Sequence, residues 1–147
     1  MGNLGLQELL LLGIVGGIIM AGIFFLLTLQ NALKTVSPEN RAMEPGNVWL
    51  LLIPLFNIYY MFIVVNAIAA SLNNEYQKFG VIKNENPTYN IGIAWCITQI
   101  ASSILQFFSI PYLSIITLLF WIIYWVKVNE HKNEIVKLQN ANDPLHL

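Results

Sequence analysis

Few residues in this 147-residue chain could do chemistry, and they gather in two places. His131 and Glu134 stand three apart. On a helix that spacing puts an imidazole and a carboxylate on one face and could supply half of a metal site. Nothing in the sequence completes the set: the other histidine is His146, the single aspartate is Asp143, and no GxxxxGK loop for phosphates exists. A solvated helical face is the simpler reading of the pair.

The second place is a polar stripe. Gly92, Trp95, Gln99, Ser102, Ser103 and Gln106 fall within a sector of about 100° at 3.6 residues per turn, opposite Ile93, Ile97, Ile100 and Ile104. Such a face avoids lipid, because buried amides need hydrogen-bond partners, and it is read as helix-packing or pore-lining. Asn57 belongs with it. Counted from the ends of their segments, Asn57 and Gln99 lie at similar depth on neighbouring antiparallel helices, so the two amides are expected to face and bond one another. The stretches around these residues contain no histidine to serve as a base for a nucleophilic serine and no carboxylate to carry a proton. The expectation is therefore a non-catalytic protein with no metal or cofactor.

The elements that must position these groups are apolar. Residues 9–33, 48–70, 91–109 and 112–128 contain no Asp, Glu, Arg or His, and their one lysine, Lys127, sits at an edge. Segments of this length match the ~30 Å hydrocarbon core of a bilayer. Composition agrees, with 56% hydrophobic and only 10% charged residues against roughly a quarter charged in ordinary soluble domains. The fold class predicted is an all-α integral membrane bundle of four transmembrane helices, a single domain over 1–147, with short interfacial and cytoplasmic helical extensions and a cytoplasmic tail at 129–147. A net charge of −1 gives no reason to expect nucleic acid, and the single cysteine, Cys96, permits no internal disulfide.

With four spans, the N-terminus, the 71–90 loop and the tail share one side with Lys78, Lys83, Lys127, Lys132 and Lys137. Lys34 and Arg41 fall on the other. Five against two places both termini in the cytoplasm. Trp49, Trp95, Trp121 and Trp125 read as interfacial anchors. Gly13, Gly17 and Ala21 recur every four residues and form a small-residue packing face for a helix of this chain or of a second copy. Between spans, Ser37 is a candidate N-cap with Pro38 at the first helical position, and Pro45-Gly46 ends a short interfacial helix. Pro54 predicts a kink in the second span. Leu72, Tyr76 and Phe79 continue that helix until Gly80, and Val128, Ile135 and Leu138 give the tail an apolar stripe to pack on it.

SPENRAMEPGNVWLLLIPLFN at 37–57, with LLFWIIYWVKVNEHKNEI near the end, resembles a group of small multi-span bacterial membrane proteins to which no activity is attached. The likeness covers most of 30–138. It implies a bacterial inner-membrane location and a four-helix arrangement. The function expected is that of an interaction or scaffold subunit of a membrane assembly, with the bilayer and a second copy or another membrane protein as partners. The alternative is a small homo-oligomeric channel lined by the third span.

Overall fold

The computed structural model describes residues 5–83, 86, 88–106 and 112–142, and only the backbone of Gln106 and Tyr112. These residues are helical throughout their ordered elements: α1 (Leu6–Thr35), short 3-10 segments at Pro38–Asn40 and Pro45–Leu52, α2 (Phe56–Lys78), α3 (Tyr89–Gln106) and α4 (Tyr112–Ala141). Helices α1, α2 and α4 are long and apolar enough to cross a membrane, and Tyr89–Leu105 is a shorter apolar helix.

The expected second span does not form as one rod. Pro54 cannot donate to a preceding turn, and Leu55, at φ 65° and ψ −46°, is the centre of a γ-turn closed by the Phe56 N–H on the Pro54 carbonyl at 2.8 Å, so the predicted kink becomes a complete break. Upstream of it the chain runs as the 3-10 segment Pro45–Leu52. Downstream, α2 begins afresh, with the Asn57 N–H bonded to the Ile53 carbonyl at 3.0 Å. The expected interfacial helix shrinks to one turn, Pro38–Asn40, and the Ser37 hydroxyl is drawn to a tertiary acceptor instead of capping it.

Packing then overturns the four-span arrangement of ends. The loop after α1 meets the end of α2, where the Ser37 hydroxyl donates to Glu75 at 2.8 Å. The end of α4 meets the end of α1, where Gln139 Nε2 donates to the Thr35 carbonyl at 2.8 Å. Helices α1, α2 and α4 therefore finish at the same end of the molecule. Residues 36–55 double back along α1, with Trp49 reaching Gln30 at 3.3 Å, and α2 returns beside them. The sequence expectation set 34–46 opposite the 71–90 loop and the tail; in the structure they adjoin, and Lys34 and Arg41 join the other five basic residues in that half of the molecule. The N-terminus of α1 lies at the far end.

Helices α3 and α4 form an antiparallel pair, tied by a Ser102–Ser114 hydroxyl contact at 3.1 Å and by Thr117 donating to the Thr98 carbonyl at 3.0 Å. The junction between the predicted spans 91–109 and 112–128 lies outside the described residues. Gly92 allows this pair to approach α2: a Cβ there would clash with Val65 Cγ1 and stand 2.8 Å from Tyr124 Cε2. The tail is not a separate helix but the continuation of α4, and its Val128 and Ile135 are buried as the apolar stripe requires.

The core is concentrated where the helix ends gather. Leu29, Leu33, Val36, Val64, Ile68, Leu72 and Ile135 are all buried there, whereas α1 is exposed along most of Leu6–Phe24. Trp95, Trp121 and Trp125 do not merely mark an interface. They surround Phe25 edge-on at centroid distances of 5.4–5.9 Å, and Trp95 stacks on Tyr124 at 5.6 Å.

Candidate binding hollow and the polar end

Because α2 starts late, it falls short of its neighbours. Counting 1.5 Å per residue from the level of Glu75, Asn57 stands about 27 Å along the bundle, while α4 extends about 40 Å from Gln139 to its start. The space that a longer α2 would occupy is a hollow of about 400 Å³. Its floor is Asn57 and Met61; its walls are Trp95, Gln99, Ser102 and Ser103 of α3 and Ser114, Thr117, Leu118 and Trp121 of α4.

The structure thus brings the predicted stripe and Asn57 together. Asn57, Gln99, Ser102 and Ser103 line one hollow, with Gly92 and Trp95 on the same helical face; the side chain of Gln106 lies outside the described residues. The expected bond between the Asn57 and Gln99 amides does not form. Both side chains are exposed and neither has a hydrogen-bond partner among the described residues. The hydroxyls are better provided for: Ser103 donates to the Gln99 carbonyl at 2.8 Å, and Thr117 also reaches the Leu113 carbonyl at 3.0 Å. Ser114 and Thr117, three apart on α4, complete the polar wall; their spacing is legible in the sequence once α4 is known to face α3.

The small-residue face of α1 finds no partner among the described residues of its own chain. A Cβ on Gly13 or Gly17 would meet nothing within 4 Å, and Ala21 is only partly buried.

At the opposite end, two polar networks join the helices. Glu75 is wholly buried, and its carboxylate accepts from the Ser37 N–H (3.1 Å), the Ser37 hydroxyl (2.8 Å), Asn40 Nδ2 (2.7 Å) and Gln139 Nε2 (3.2 Å). Every partner is a donor, which is the complement of an ionised carboxylate. Lys78 closes the network by donating to the Ser37 hydroxyl at 2.7 Å and to Glu39 at 3.1 Å. The exposed Glu39 carboxyl is held below the ordinary carboxylate range by its own backbone N–H and by Lys78. Glu75 is the residue that sequence reasoning passed over. Its signal was position, for it lies between Leu72, Tyr76 and Phe79 on the apolar face of α2.

The second network contains the pair read as half a metal site. Tyr76 donates to Glu134 at 2.7 Å and stands 2.8 Å from His131 Nδ1; Lys83 pairs with both Glu134 oxygens at 2.9 and 3.2 Å. The phenol has one proton and gives it to the carboxylate, so His131 Nδ1 carries a hydrogen toward the Tyr76 oxygen. Lys83 also sits 4.8 Å over the Tyr76 ring. His131 and Glu134 are thereby engaged in joining α4 to α2 and the following loop.

Comparison with protein-family models, curated proteins and solved structures finds no match for this chain. What fold and site define is a class: an all-helical protein, among its described residues, with three helices fit to cross a membrane and an uncharged polar hollow between helices.

Proposed function

We propose that this is a non-catalytic integral membrane protein of the bacterial inner membrane that acts as an interaction or scaffold subunit, engaging another membrane component through the polar face of α3. One observation carries the reading. The amides of Asn57 and Gln99 are exposed and, among the described residues, unpaired, on a flank that also exposes Ile58, Ile97, Ile104 and Leu118. In hydrocarbon an amide without a partner costs several kcal/mol, so the working state is one in which a second molecule supplies the bonds.

The arrangement of ends supports a different membrane topology from the one expected from four spans. Helices α1 and α4 cross with the shorter apolar α3 beside α4, whereas α2, though long and apolar enough to cross, starts at membrane depth: residues 45–78 enter from the basic end, turn back at Pro54-Leu55 and return to it, and all seven Lys and Arg residues stay on one side. Seven against none puts that side, with the C-terminus, in the cytoplasm and the N-terminus across the membrane. Irregular backbone at membrane depth is tolerated where protein covers it. Here the 3-10 segment buries Val48 and Leu51 against α1 and α2, while residues 52–56 at the reversal are exposed, so their cover in the bilayer falls to the bound component. The inner-membrane setting rests on the resemblance of residues 30–138.

Native mass spectrometry of the full chain released from membranes tests the reading. The wild-type protein retains a protein or lipid component that the Asn57→Leu, Gln99→Leu double variant loses; equal retention would refute the assignment. An ion flux in liposomes that depends on Gln99 would instead favour a pore. For topology, single cysteines in a Cys96→Ala background at Glu44, Gln77 and Asn133 label together from the cytoplasmic face, and one at Gln7 labels from the other. Labelling of Gln7→Cys together with Gln77→Cys and Asn133→Cys, with Glu44→Cys labelled from the opposite face, would restore the four-span arrangement.

A further inference from the structure

The hollow has a shape as well as a lining. Two mainly apolar depressions of about 170 Å³ each adjoin it, one bounded by Gly22, Leu26 and Leu52, the other by Ile58, Ile100 and Ile104 with Gln99 and Ser103 at its border with the hollow. Asn57 borders all three spaces. A polar chamber within the 300–1,000 Å³ range of small-molecule sites is therefore flanked by two mainly apolar depressions that share one amide with it.

We infer that this site takes the head of an uncharged, two-chain lipid of the diacylglycerol class, with hydroxyl and ester groups in the polar chamber and one chain in each flanking depression. The assignment rests on the proposed binding role of the α3 face and names what is bound there. Three observations select the occupant. None of the residues bordering the chamber is charged, so a phosphate or ammonium head would lie in a low-dielectric site without a counter-charge. A neutral head carries no such penalty and can be drawn below the interface. The unpaired Asn57 and Gln99 amides offer both donors and acceptors, matching hydroxyls that donate and esters that accept. Finally, the chamber is concave and paired with two apolar spaces, whereas an α-helix would need one continuous groove of small residues. The opening toward exposed Ile58, Ile104 and Leu118 gives the lipid a lateral path in from the bilayer.

The test uses the native tryptophans, because Trp95 and Trp121 border the polar chamber and one apolar depression. The full chain is placed in phosphatidylcholine nanodiscs doped with chain-brominated diacylglycerol, or with brominated phosphatidylcholine or phosphatidylglycerol at the same mole fraction. Brominated diacylglycerol quenches more than either phospholipid. Gln99→Leu weakens that excess quenching about fivefold, the equivalent of one net hydrogen bond. Ser103→Phe, which plugs the chamber from an exposed position and leaves both amides and the core intact, abolishes it. Equal quenching by all three lipids overturns the lipid assignment, and so does excess quenching that survives Ser103→Phe. If the lipids quench equally while Gln99→Leu still strips a protein from the complex seen by native mass spectrometry, the occupant is a protein helix and the interaction role stands. If retention is also unchanged, both fall.

Discussion

Replacing Glu75 is the sharpest test of how the helix ends are held. Its two oxygens divide four donors: Oε1 accepts from the Ser37 hydroxyl and Gln139 Nε2, and Oε2 from the Ser37 N–H and Asn40 Nδ2. In Glu75→Gln one oxygen becomes an NH2 group. If it replaces Oε1 it opposes Gln139, whose amide cannot flip without losing its 2.8 Å bond to the Thr35 carbonyl, while the Ser37 hydroxyl can accept from it beside Lys78 only by turning its own proton away. If it replaces Oε2 it opposes the Ser37 N–H, which cannot turn, while Asn40 can flip to accept. Either way at least one bond is lost and one donor is left opposed, a cost of about 2 kcal/mol. Glu75→Leu removes every acceptor at a position that is 0% exposed. Up to four donors lose their partner, some recover it from water at the membrane edge, and the cost is about 3–5 kcal/mol. Reversible unfolding in mixed micelles with rising dodecyl sulfate, followed by helix content, measures both. The order expected is wild type, then Gln, then Leu. A Leu variant within about 0.5 kcal/mol of wild type would refute the claim that this carboxylate joins α1, α2 and α4, since that interval covers changes at positions without tertiary roles.

Two further outcomes follow from the same unfolding assay. Gly92→Ala forces a Cβ against Val65 and Tyr124 and lowers stability by about 1–3 kcal/mol, whereas Gly17→Ala meets open space and leaves the monomer within about 0.5 kcal/mol; equal effects would mean that α3 does not approach α2 as described. Arg41 donates to the Leu33, Lys34 and Val36 carbonyls at 2.8–3.0 Å, capping the end of α1. Arg41→Ala costs about 1–2 kcal/mol and Arg41→Lys recovers only part of it, because one ammonium cannot reproduce the guanidinium fork; full recovery by lysine would show that charge alone matters.

The sequence alone determined the class and the polar face. Long apolar stretches with no acidic residue dictate helices suited to a bilayer, since only there are backbone groups satisfied within the segment. The 3.6-residue period then put Gln99, Ser102 and Ser103 on one side of α3 whatever that helix packed against. Tertiary structure decided what periodicity cannot reach. Pro54 announced a disturbance, but the difference between a kink and a full reversal depended on whether residues 45–52 gained more by lying along α1 than by continuing α2. Burial of Val48 and Leu51 and the Trp49–Gln30 contact settled that. The reversal moved Lys34 and Arg41 to the basic end, shortened α2 and so opened the hollow that the stripe lines. Glu75 depended on it too. An acid on an apolar helical face reads as an oddity until Ser37, Asn40 and Gln139, up to 64 residues away in the chain, converge on it with four donors.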